Sequence, residues 1–284
     1  MPKTACAKRP DGGRVGKSIV TAPRHILITG ASSGIGAALA VHYAAPGVRL
    51  VLGGRDARRL DEVAARCAAL GAQVESHRVD VTDRPAMEAW ITMADERGAL
   101  DLVVANAGIS AGTGGAQEGE SPDQVSRIFD VNLHGVLNTL DPAIARMTGR
   151  GRGHVAIISS LAGFHGWPGA PAYAASKAAV RSYGEGLFNG LRAQGVALSV
   201  VCPGFIRTPM TAINDFPMPF LMSPERAATI IARGLAHRKS RIVFPAPMAA
   251  LVWLSCVLPD GWVQAIQRLL PDKPAAPAQK DPES

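Results

Sequence analysis

HILITGASSGIG, residues 25–36, joins a short apolar run to a turn carrying three glycines. His25 to Gly30 has the length and apolar continuity of a buried strand, and Ile35 to Tyr43 has helical spacing. Between them, Gly30 lets the strand turn sharply, Gly34 lets backbone approach a phosphate, and Gly36 lets the new helix pack tightly on the sheet. Unpaired N–H groups at the start of that helix point at the anion. A glycine turn alone is a weak signal; one that opens a βαβ unit is much stronger.

The rest of the chain supplies that context. Strand-like runs at 49–54, 74–80, 100–108, 154–160, 197–204 and 241–245 alternate with helix-like runs at 56–70, 83–97, 122–149, 173–192 and 224–236. Alternation of this kind predicts parallel βαβ units, and the continuous apolar strands predict a sheet covered on both faces. The expected fold is α/β, a Rossmann-type doubly wound parallel sheet of about seven strands with helices on both faces.

The 284 residues, 47% hydrophobic, suffice for one large α/β domain. Four scattered cysteines, Cys6, Cys67, Cys202 and Cys256, form no CxxC pair and no Cys/His cluster, so neither a metal site nor a disulfide framework is expected. A reducing, cytoplasmic setting fits. No signal peptide is visible and no run reaches the ~18–20 apolar residues of a membrane span. The net charge is +7. Much of the excess sits within residues 1–24, where Lys3, Lys8, Arg9, Arg14, Lys17 and Arg24 face one acid, Asp11. Residues 1–23 are read as a disordered basic arm and 271–284 as a disordered tail. A nucleic-acid role for the arm is disfavoured.

Tyr173-Ala-Ala-Ser-Lys177 places a phenol and an ammonium on one helix face. Alone, this spacing arises readily by chance. Together with the glycine turn it carries a resemblance. From about His25 to Pro245 the chain resembles the short-chain dehydrogenase/reductase family, on five ordered motifs: TGASSGIG (29–36), DVTD (80–83), NAG (106–108), the Ser160–Tyr173–Lys177 set, and Pro203-Gly204.

The resemblance implies an oxidoreductase interconverting a secondary alcohol and a ketone by hydride transfer. It implies that Tyr173 is general acid in reduction and base in oxidation. Lys177 would lower the tyrosine pKa and bind the nicotinamide ribose, Ser160 would hold the substrate oxygen, and Asn132 would support a water relay to Lys177. Ser159 competes with Ser160, and the thirteen-residue offset from Tyr173 favours Ser160. Cofactor contacts are implied for Gly30, Ser32, Ser33, Gly34, Ile35 and Gly36. They are implied also for Asp80 and Val81 at the adenine, for Asn106, Ala107 and Gly108, and for Pro203, Gly204, Ile206 and Thr208 near the nicotinamide. The usual NNAG motif reads Ala105-Asn106-Ala107-Gly108 here, one Asn short.

At the end of the second strand Gly54 replaces the carboxylate that would bind a ribose 2′-OH, and Arg55 follows. A guanidinium can grip a 2′-phosphate, so NADP(H) is favoured over NAD(H). Arg58 and Arg59 are read as solvated helix residues. The segment 209–222, with Met210, Phe216, Met218, Phe220, Leu221 and Met222, is expected to cover an apolar alcohol or ketone, near Phe164, His165 and Trp167. The apolar stretch 246–270 could form one or two amphipathic helices. A lid or oligomer contact is favoured for it over a membrane surface, and a homodimer or homotetramer is expected. The rival reading is a catalytically silent dinucleotide-binding regulator or scaffold.

Overall fold

The computed structural model describes residues 22–113, 119–167 and 169–267. The expected tail and nearly all of the basic arm lie outside the described residues. Seven strands form one sheet: β1 (His25–Thr29), β2 (Arg49–Gly54), β3 (Gln73–Arg78), β4 (Leu102–Ala105), β5 (Gly153–Ile158), β6 (Val196–Pro203) and β7 (Arg241–Phe244). All pairings are parallel and the order is β3-β2-β1-β4-β5-β6-β7. The order reverses between β1 and β4, which opens a crevice at their carboxyl ends.

Period-two alternation sorts the strand side chains between two cores. Ile26, Ile28, Leu50 and Leu52 face one layer, made by α1 (Gly34–Tyr43), α2 (Ala57–Ala69) and α8 (Pro224–Ala236). Leu27, Val51, Val103 and Val155 face the other, made by α3 (Arg84–Glu96), α5 (Gly135–Gly149) and α6 (Pro171–Ala193). The doubly wound expectation is met. The strand expected at 100–108 is shorter, because Asn106 to Gly108 leave the ladder to form the crevice wall. The helix expected at 122–149 is interrupted. α4 (Pro122–Phe129) and α5 are joined by a π turn at Asp130–His134, which holds Asn132. Such insertions often mark functional positions, because they re-aim one side chain within a continuous helix.

After β6 the chain makes a short helix α7 (Pro209–Ala212), and after β7 two more, α9 (Ala246–Ser255) and α10 (Asp260–Gln267). The segments after β6 are tied by backbone hydrogen bonds. Gly204 N–H donates to Phe244 O at 2.8 Å, and Arg207 N–H donates to Met222 O at 2.9 Å.

Candidate active site

A cleft of about 740 Å³ runs along the carboxyl edge of the sheet. Gly30 and Gly34 open it with φ of 63° and 56°, a region that side chains rarely adopt. The glycine turn is also crowded. A Cβ on Gly36 would stand 2.4 Å from Gly30 O, and one on Gly34 would stand 2.9 Å from Thr208 Cγ2. The cleft is lined by Gly30, Ser32, Ser33, Gly34 and Ile35 at one wall and by Asp80, Val81, Asn106, Ala107 and Gly108 at another. Pro203, Gly204, Ile206 and Thr208 close its far end. Gly36, expected among the cofactor contacts, does not line the cleft; it packs against Gly30 and Asn106.

Asn106 lines the cleft as expected and has a structural task as well. Its side-chain amide donates to Thr29 O at 2.9 Å and Gly30 O at 3.1 Å, so it ties the glycine turn to the end of β4. Thr29, which the sequence did not single out, completes this knot. Its hydroxyl accepts from Asn106 N–H at 3.0 Å and Ala107 N–H at 3.2 Å. Asp80 spends one oxygen on the backbone and hydroxyl of Thr82, both at 2.9 Å. At the mouth, Arg55 is exposed and lines the cleft. Arg59 lines it too, against expectation, while Arg58 turns away to Glu62. Asp56 explains the difference. It caps α2 by accepting from Arg59 N–H and pairs with the Arg59 guanidinium at 3.1 Å, which holds that side chain at the first turn.

Deeper in, four side chains converge. Ser160 follows the end of β5 and its Oγ accepts from Ala162 N–H at 3.1 Å. It also hydrogen-bonds the Tyr173 phenol from the first turn of α6. Ser159 also borders the cleft, but its buried hydroxyl donates to Lys177 O at 2.7 Å. Lys177 is 4% exposed, and its Nζ donates to Ile158 O at 2.9 Å. Burial lowers its pKa to about 8. Asn132 is fully buried; its Oδ1 accepts from Ile109 N–H and its Nδ2 donates to Ile109 O and Ser176 Oγ. Asn132 Oδ1 and Lys177 Nζ both lie 3.2 Å from the point where a Cβ on Gly108 would stand. The missing side chain at 108 therefore leaves the space that these two groups share.

One expectation is reversed. Tyr173 is shifted upward, not downward, because burial penalises the phenolate and the Ser160 hydrogen bond only partly offsets it. The Lys177 ammonium stands 5.9 Å from the tyrosine ring centroid and is engaged by the Ile158 carbonyl.

The family model for short chain dehydrogenase matches residues 24–215, more than half of the chain. The chain belongs to the short-chain dehydrogenase family. An uncharacterized oxidoreductase of Myxococcus xanthus (strain DK1622) is 40% identical over 249 residues, covering 87% of this chain and 97% of the relative. Among solved structures, a short-chain dehydrogenase from Sphingobium yanoikuyae in complex with NADPH superposes with a TM-score of 0.72 at 28% identity, covering 91% and 99% of the two chains. A short-chain dehydrogenase/reductase from Burkholderia phymatum in complex with NAD gives 0.74 at 26% identity, covering 90% and 98%. As a member of this family, the chain is an oxidoreductase.

The dehydrogenase has a second, apolar pocket of about 420 Å³ that meets the cleft at Ser160, Tyr173 and Gly204. Its walls include His165, Trp167, Phe205, Met210 and Phe216, with Met248, Leu251, Val252 and Leu254 from α9 and Val263 from α10. Trp167, Phe205 and Phe216 form a mutual aromatic cluster with centroids about 6 Å apart. Of the segment 209–222, only residues between Met210 and Phe216 line this pocket. Met222 instead pairs with Ile206 and enters the core, while Phe220 and Leu221 point to solvent and Met218 is absent from the wall. Phe164 also misses the pocket, because Arg181 stacks on its ring at 4.5 Å. Phe205, Met248 and Val263 were missed by motif reading, since apolar residues carry no signature until the fold places them.

Proposed function

We propose that the dehydrogenase is an NADP(H)-dependent reductase that interconverts a ketone and a secondary alcohol on apolar substrates. The observation that carries this reading is the placement of Ser160 and Tyr173 on the boundary between the polar cleft and the apolar pocket. The cleft suits a dinucleotide: its glycine turn has a conformation and closeness that Cβ atoms would fill, at the N-terminus of α1. Ser32, Ser33, Gly34 and Ile35 would hold the pyrophosphate, Asp80 and Val81 the adenine, and Ile206 and Thr208 the nicotinamide end. When bound, the dinucleotide supplies the hydride.

The chain's own residues then manage charge and protons. In reduction, negative charge gathers on the substrate oxygen. Ser160 and Tyr173 hydrogen-bond that oxygen, and the phenol gives up its proton to it. The upward shift of Tyr173 keeps the phenol protonated at neutral pH, as a proton donor requires. Lys177 places a cation beside the phenolate that forms and would bind the nicotinamide ribose. Asn132 and Lys177, facing each other over Gly108, would hold a water that returns the proton. In oxidation the same phenolate takes the alcohol proton.

Arg55, free of ion pairs among the described residues, supports selection of the 2′-phosphate. Gly54 supports it too, since no carboxylate stands there to repel the phosphate. A small apolar substrate, a homodimeric or homotetrameric assembly and a cytoplasmic setting complete the reading.

The test is NADPH oxidation against a panel of apolar ketones and aldehydes, with NADH in parallel and Tyr173→Phe as control. Turnover supported better by NADPH and abolished by Tyr173→Phe is expected. Dinucleotide binding without turnover of any panel member by the native chain would favour the silent regulator.

A further inference from the structure

We infer that α9 and α10 form a membrane-contact surface through which the apolar pocket receives its substrate from an anionic lipid bilayer. This rests on the apolar-substrate reading above, and its binding test does not depend on turnover. Trp253 and Trp262 are 68% and 69% exposed, and Leu251 and Val257 are 64% and 61% exposed. No residue of α9 is buried. Large side chains exposed together in this way mark an interaction surface, because a solvated protein surface rarely keeps them.

Two observations favour lipid over a second copy of the chain. From Pro245 to Pro259 there is no charged side chain, so this stretch offers none of the polar rim that borders a protein interface. A bilayer needs no such rim, and tryptophan sits well at its boundary. The charge of the whole chain is +7, most of it within residues 1–24 and none within 245–259, so the attraction to anionic headgroups is a property of the whole chain added to the apolar contact. The surface is also continuous with the pocket. Leu251 and Leu254 line its wall, yet are themselves exposed. An apolar substrate could therefore pass from hydrocarbon to Tyr173 with little exposure to water. The contact is peripheral, as no described helix is long and apolar enough to cross a membrane.

The experiment is flotation of the full chain with vesicles of phosphatidylcholine containing phosphatidylglycerol, and with phosphatidylcholine alone. Trp253→Ser/Trp262→Ser is run beside it, with dinucleotide binding as the fold check and sedimentation for mass. Neither tryptophan lines the pocket. The native chain should float with the anionic vesicles, and the double variant should lose about tenfold or more of that binding at unchanged mass. A second measurement needs no variant: brominated lipid should quench tryptophan fluorescence in the native chain, since Trp90 is buried in the core. Absence of flotation and quenching would overturn the inference, as would equal flotation of the variant, which would place the contact elsewhere. A native chain that does not float but loses mass on substitution would assign the surface to a second copy. Failure of turnover with retained flotation would sink the reductase reading and leave the surface standing.

Discussion

Asn132 and Ile109 exchange two hydrogen bonds: the Asn132 Oδ1 accepts from the Ile109 N–H at 2.8 Å, and its Nδ2 donates to the Ile109 carbonyl at 2.9 Å. The side chain acts as an extra strand residue that continues β4 past Ala105. It fixes the crevice wall to the π turn, and its third bond, to Ser176 Oγ at 3.0 Å, reaches α6 one position before Lys177.

Asn132→Ala takes the side-chain partner from the Ile109 N–H and carbonyl and removes the bond to Ser176 Oγ, which keeps only its bond to Tyr173 O. A loss of ~2–4 kcal/mol in urea unfolding is expected. The KM for the dinucleotide and kcat should both worsen, because the cleft wall and the helix carrying Lys177 lose a common anchor. A variant as stable as the native chain would show that the clamp contributes little.

Lys177 couples stability to pH. Burial lowers its pKa from 10.5 to about 8, so between those values the unfolded chain holds more protons than the folded one. Stability contributed by this group therefore rises with pH through that window. Lys177→Met should remove this rise and stabilise the chain at pH 7 by ~1–3 kcal/mol, while abolishing turnover. Native reductase activity should fall as pH passes above about 8, where Lys177 loses its charge. Thermal unfolding across pH, beside a pH–rate profile, checks both signs.

Gly108→Ala tests the shared space between Asn132 and Lys177. The added methyl would stand 3.2 Å from both polar atoms, and Lys177 Nζ, at the end of a flexible chain, would give way first. We expect kcat to drop ~10- to 100-fold with little change in melting temperature. An unchanged kcat would remove the water relay from the mechanism.

Cofactor choice should respond to positions 54 and 55. Arg55→Ala is expected to weaken NADPH binding about tenfold or more and leave NADH binding nearly unchanged. Gly54→Asp should shift preference toward NADH by repelling the 2′-phosphate, although its Cβ would press on Ser32 Oγ at 3.3 Å. Titration of both dinucleotides against both variants reads the outcome directly.

Much of the fold was legible in the chain. Strands β2 and β7 and helix α8 fall within a residue of the runs read from periodicity, because their apolar patterns and proline or glycine boundaries are local signals. The break at Asp130–His134 was not legible. A π turn costs one helical hydrogen bond and is repaid by the Asn132 contacts, which join residues 23 and 44 positions apart. Arg58 and Arg59 looked alike for a similar reason: the Asp56 cap separates them only once α2 starts at Ala57.

The sequence by itself determined the parallel scaffold and the glycine turn, which depend on local periodicity and on residue types that few positions tolerate. Ser160, Tyr173 and Lys177 were singled out by resemblance to the family, through the order and spacing of its motifs. Only the tertiary structure decided that Asn106 serves the turn, that burial raises Tyr173, and that Met222 enters the core while α9 walls the pocket. Those outcomes depend on desolvation and on contacts between distant segments, where apolar side chains are interchangeable in sequence and are distinguished only by what packs beside them.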